Sequence, residues 1–112
     1  MFALQKYSLR NRLETTQHWR QNYPNRVAIV FDSSKWYFYK FRCLLVPESL
    51  TIQELTFIIQ SRWFPDSSIQ LQAYQHPDRT TQNLIPTDIC GTVQQNYQYP
   101  DGVLYLRACC VV

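Results

Sequence analysis

The amino-acid sequence predicts an α+β domain: a four-stranded mixed sheet with a helical extension at its N-terminus. Three observations carry this. A largely polar helical stretch ends at Tyr23-Pro24, a continuous apolar run occupies residues 27–31, and Leu45-Val46-Pro47 leads into Thr51-x-x-Glu54, the spacing of a capped helix start. At 112 residues the chain has the length of one domain. It is expected to divide into the helical extension at 1–24 and the sheet-bearing core at 25–108.

Taken in order, residues 9–22 read as a helix. Leu9 and Leu13 fall on one face with Trp19 beside them, which makes a narrow buried stripe. Pro24 disfavours helical backbone at Tyr23 and ends the helix. Residues 27–31 are rich in β-branched side chains and predict a central strand buried on both faces. Asp32-Ser33-Ser34 is turn chemistry. Residues 36–46 predict a second strand, aromatic and then aliphatic, closed by Pro47. Ser49 or Thr51 caps the next helix, which Leu55, Ile58 and Ile59 continue at helical spacing until Pro65. Residues 69–74 alternate Ile69, Leu71, Ala73 against Gln70, Gln72, Tyr74, the pattern of a half-buried strand. Residues 76–86 predict a long polar loop and 87–97 a short helix, weakened by Gly91. Asp101-Gly102 is a turn into a last strand at 103–106. The order helix, strand, strand, helix, strand, short helix, strand matches a ubiquitin-like β-grasp.

Charge and chemistry narrow the function. The net charge is +3, with Lys and Arg scattered rather than set in a stripe, so nucleic acid is not the expected partner. No apolar run suits a signal peptide or approaches the roughly 20 residues of a membrane span. The four cysteines contain no Cys-x-x-Cys pair, which fits a reduced cytosolic compartment and neither a disulfide framework nor a metal site. Only Gly91 and Gly102 are glycines, too few for a phosphate-cradling loop. His18 on a polar helix and His76 in a loop read as solvent-exposed. The sequence therefore predicts no catalytic residue and no cofactor. Cys109-Cys110-Val111-Val112 has the form of a prenylation box, with Cys109 as the attachment point; its other reading is a plain apolar strand end.

The wording of several segments resembles one family, the autophagy-related ubiquitin-like modifiers of the GABARAP and microtubule-associated light-chain group. Leu9-x-x-Arg12 ahead of Tyr23-Pro24-Asn25-Arg26 is similar to its aromatic-x-x-Arg followed by Tyr-Pro-Asp-Arg. Leu45-Val46-Pro47 followed by Leu50-Thr51-Ile52 resembles its Leu-Val-Pro and Leu-Thr-Val, and Ile58-Ile59-Gln60-Ser61-Arg62 its helix end. Pro86-Thr87 and Asp101-Gly102-Val103-Leu104-Tyr105 continue the match, which runs from about Leu9 to Leu106. The family binds aromatic-x-x-aliphatic peptides that add a strand to the second strand of the sheet and drop two anchors into two apolar pockets. By resemblance, the first pocket is Trp19, Ala28, Leu45 and Val103. The second is Leu44, Val46, Pro47, Leu50, Leu55 and Ile58, with Arg26 and Arg62 near the docked peptide.

The resemblance implies a non-enzymatic adaptor in the cytoplasm, working at autophagosome or other vesicle membranes. Its implied partners are short motifs of cargo receptors and the activating, transfer and processing enzymes of a conjugation pathway. Departures qualify this. Where the family has a Lys-rich strand start, this chain has Phe41, Arg42 and Cys43, so only Arg42 keeps charge. Val103 and Ala28 replace a pocket Phe and Pro, and Trp19 replaces an Ile and would fill much of the first pocket. The family is joined through a C-terminal Gly to phosphatidylethanolamine; the sequence stops at Val112, a few residues short of that Gly. Contact with a membrane surface is expected if the native chain carries that Gly. The alternatives are an unconjugated scaffold or tether, and the related modifier joined to a protein, whose Trp-Gly end is absent here.

Overall fold

The computed structural model describes residues 18, 21–35 and 41–111. Most of the predicted helix at 9–22, Trp19 included, lies outside them, as does the start of the predicted second strand. His18, Gln21 and Asn22 have helical backbone, and the Asn22 side chain donates to the His18 carbonyl at 2.9 Å. That bond satisfies a carbonyl the helix end would otherwise leave open, just ahead of Pro24.

Five strands and two helices follow: β1 (Arg26–Ser33), β2 (Arg42–Pro47), α1 (Ile52–Trp63), β3 (Ser68–Tyr74), β4 (Thr81–Asn83), α2 (Cys90–Tyr97) and β5 (Leu104–Val111). They form one mixed sheet in the order β2-β1-β5-β3-β4, with β1 and β5 parallel at its centre and the other pairs antiparallel. This is the α+β, ubiquitin-like architecture that the element order predicts, with one strand more. The fifth strand, β4, falls in the stretch expected to be loop. It is short, polar and fully exposed, and is held by pairing with β3 and by the Gln72–Asn83 side-chain bond at 2.8 Å.

Local chemistry explains the elements. In β1 every residue from Val27 on is buried, as a strand covered on both faces requires. The expected turn at Asp32-Ser33 is instead the end of β1, with both residues buried. At α1, Thr51 Oγ1 accepts from the Glu54 N–H at 3.1 Å, while Glu54 Oε1 accepts from the Thr51 N–H at 3.2 Å. This is a complete capping box. The helix closes at Phe64, whose N–H reaches the Gln60 carbonyl. α2 starts at Cys90, later than expected. β5 extends well past Leu106, so Cys109 and Cys110 lie within the strand opposite Gln70 and Ile69.

Two apolar clusters lie on opposite faces of the sheet. One joins Ile29, Phe31, Leu104 and Leu106 to Ile52, Leu55 and Ile59 of α1. The other gathers Ala28, Val30, Tyr74, Tyr99, Val103 and Tyr105. Polar groups on the second face are paired. Tyr74 donates to both oxygens of the buried Asp32, at 3.0 and 3.1 Å, and Arg107 donates to the Tyr74 hydroxyl at 3.0 Å. Asp101, also buried, accepts from the Val103 N–H and the Tyr105 hydroxyl.

Candidate functional site

Among the described residues β2 pairs with β1 alone, and no strand lies along its other edge. An open edge presents unpaired N–H and C=O groups to any extended chain laid beside it. Successive side chains of β2 point to opposite faces. Leu44 and Val46 pack toward the α1 core, and Leu45 packs toward the second cluster with Ala28 and Val103. The two residue sets named for two pockets therefore segregate to the two sides of one edge strand. Trp19, assigned to the first set, lies outside the described residues.

The placement corrects several side chains of those sets. Leu55 is fully buried, at 0% exposure, and Val46 is buried with it, so both support the groove from within the core and do not line it. Ala28 and Val103 are likewise buried. Leu44 and Leu50 are half-buried against the core, Pro47 is exposed, and Ile58 is 40% exposed. The groove over the start of α1 has a volume of about 370 Å³ and is lined by Leu50, Gln53, Glu54, Phe57 and Ile58. It shares Leu50 and Ile58 with the expected pocket and adds three residues that sequence reasoning missed. The available signal was Phe57, an aromatic side chain set off the Ile52-Leu55-Ile59 stripe that faces the core.

The arginines do not form one cluster. Arg26 pairs with Pro47 and Arg42 with Phe31, so the two stand at opposite ends of β2, roughly 16 Å apart at strand rise. The Arg26 guanidinium lies 5.8 Å over the Tyr23 ring, and that of Arg62 lies 4.9 Å over the Trp63 ring. Both stacks hold an exposed cation in place without removing it from water.

Two of the thiols are held within the fold. Cys90 is buried, and its thiol is pushed up to about 11, by burial first and then by the charge of Glu54. Cys109 sits within β5 with its sulfur 3.2 Å from Gln72 Oε1. No helix among the described residues is long and apolar enough to cross a membrane.

No protein-family model matches the chain, and no curated protein does. Solved structures do. The crystal structure of Trypanosoma brucei ATG8 superposes with a TM-score of 0.78 at 18% identity, over 98% of this chain and 94% of that one. Plasmodium falciparum Atg8, in complex with a P. falciparum Atg3 peptide, gives a TM-score of 0.76 at 20% identity, over 96% of each chain. These likenesses show the fold: the chain has the ubiquitin-like fold of these two Atg8 proteins.

Proposed function

We propose that this chain is an autophagy modifier of the Atg8 kind that acts by binding and does no catalysis. It captures aromatic-x-x-aliphatic peptides by strand addition along the open edge of β2. The observation that carries this reading is the segregation of two apolar sets to opposite faces of that edge strand. An extended peptide beside β2 directs alternate side chains to those same two faces. The fold likeness to two Atg8 proteins supports it, one of them solved with a peptide of Atg3. The motif resemblance along the sequence supports it too. On this reading the partners are motifs of cargo receptors and of the conjugation enzymes, met in the cytoplasm at autophagosome or other vesicle membranes.

The test is titration of the chain with a short aromatic-x-x-aliphatic peptide, by calorimetry and by amide chemical shifts. Binding should move the amides of β2 and the start of α1. Ile58→Glu, at a partly exposed position, should weaken binding at least tenfold without unfolding the protein. Leu44→Asp should abolish binding by placing an unpaired carboxylate at the groove wall. Unchanged affinity for both variants, or shifts confined to the β4 edge, would refute the assignment.

A further inference from the structure

The groove over α1 continues past the aliphatic set onto residues that the peptide-binding reading leaves unused. Phe57 is 71% exposed, the most exposed large apolar side chain among the described residues. It adjoins Ile58 on the helix, and the same groove is bounded by Gln53 and Glu54. Glu54 is exposed, but it is not loose. Its Oε1 accepts from both the backbone N–H and the hydroxyl of Thr51, at 3.2 and 3.0 Å. No hydrogen bond among the described residues engages Oε2. A carboxylate already held by its cap loses little side-chain freedom on meeting a cation, the term that makes most surface ion pairs weak.

Glu54 is the charged side chain in the lining of this groove. From Cys43 to Leu106 the sequence holds six Asp and Glu against two Arg and no Lys, so lysines are absent from the part of the chain that forms this wall. Glu48, exposed just beyond β2, lies beside the exposed Arg26. Of the two arginines, Arg62 lies two turns further along α1 and is stacked on Trp63. The other, Arg79, lies between β3 and β4, and Arg42, just ahead of this stretch, stands at the opposite end of β2. Arg42 thus stands at one end of β2; at the other, Arg26 stands opposite Pro47 beside Glu48, and Glu54 is the charged side chain that lines the groove itself. Its aliphatic set reaches past the C-terminal end of β2 to Leu50, so residues following the aliphatic anchor run on toward Glu54 and Phe57.

We infer, resting on the peptide-binding reading above, that the bound peptide extends beyond its aliphatic anchor. It lays an apolar residue on Phe57 and sets a lysine or arginine against Glu54. The chain then selects peptides that are basic after the anchors, and that polarity fixes the direction in which the peptide lies on β2.

Three synthetic peptides test this: an unextended aromatic-x-x-aliphatic core, and two extensions of it that differ only in carrying Lys or Glu after an apolar residue. Each is titrated into the full chain, its Glu54→Gln variant and its Phe57→Ala variant. Glutamine at this position preserves the capping box, so the charge is removed without loosening the helix start. The Lys peptide should bind wild type about three- to tenfold more tightly than the Glu peptide at low salt, a gap that narrows at high ionic strength. Glu54→Gln should bring the two within about twofold of each other. Phe57→Ala should weaken both extended peptides several-fold more than it weakens the core peptide. Equal binding of the two extended peptides, or a preference that survives Glu54→Gln, would overturn the extension while core binding upholds the groove. Failure of the core peptide itself would overturn both readings.

Discussion

Replacing Tyr74 by Phe isolates the polar network on the second face of the sheet. The Tyr74 hydroxyl donates to Asp32 and accepts from Arg107, and Asp32 is only 4% exposed. Burial holds the Asp32 carboxyl above its ordinary value, against the lowering effects of the Tyr74 hydrogen bond and of the Arg107 charge. Removing the hydroxyl takes a donor from a buried carboxylate, which costs about 2 kcal/mol when that carboxylate is charged. An unfolding entropy of roughly 2.1 cal/mol/K per residue makes each kcal/mol worth about 4 °C for a chain of this size, so Tm should fall by about 8 °C at neutral pH.

The pH dependence carries the sign. A carboxyl with a raised pKa in the folded state contributes its stability fully below the unfolded value of 3.8 and loses it as pH rises through the folded value. Loss of the hydroxyl raises the folded value further, so the cost of Tyr74→Phe should be small in acid and grow toward neutrality. Tyr74 itself, pushed up to about 12 chiefly by burial, stays protonated throughout this range. Urea unfolding of both proteins at a series of pH values is the assay. A destabilisation that is equal at pH 4 and pH 7 would refute the reasoning, because it would make the loss one of packing and not of charge.

Three further outcomes are expected. Thr51→Ala removes the acceptor for the Glu54 N–H and should lower stability by about 1 kcal/mol, with a Tm decrease of about 4 °C in a thermal melt. Leu55→Ala opens a cavity beneath the groove and should cost about 3 kcal/mol by urea titration, with weaker peptide binding that follows the loss of folded protein. Arg42→Glu reverses the exposed cation at the start of β2 and should slow association of a peptide that is acidic ahead of its aromatic anchor, an effect that fades in high salt by stopped-flow measurement.

What could be read from the sequence was what repeats or caps. The apolar run in β1, the Thr51-x-x-Glu54 box and the alternation of β3 each carry their own period or their own partner within a few residues. β4 has neither. Thr81, Gln82 and Asn83 are polar and exposed, and only their backbone pairing with β3 makes them a strand. The sequence predicts a last strand that ends at Leu106, because Arg107 breaks its apolar run. That arginine is tolerated there because its partner, Tyr74, comes from 33 residues earlier in the chain. Asp32 read as a turn residue for the same reason: the hydroxyl that satisfies it is 42 residues away. At the candidate site the residue types were legible but their exposure was not. Leu55 and Ile58 sit three apart on one helix and face different surroundings, and only the orientation of α1 on the sheet decides which of them meets a partner.

The parallel pairing of β1 with β5 also sets the order in which the protein can be made. Register such as Ile29 opposite Leu104 and Ser33 opposite Ala108 joins the first and last strands of the sheet. During synthesis the β1–β2 pair and α1 emerge early, yet the inner edge of β1 has no strand to meet until residues beyond Leu104 have left the ribosome. Closing so long a loop before its contacts form makes folding slow relative to a helical domain of equal size. Until then the nascent chain displays the inner edge of β1 that β5 later covers, and any factor that shields extended chain would find its substrate there.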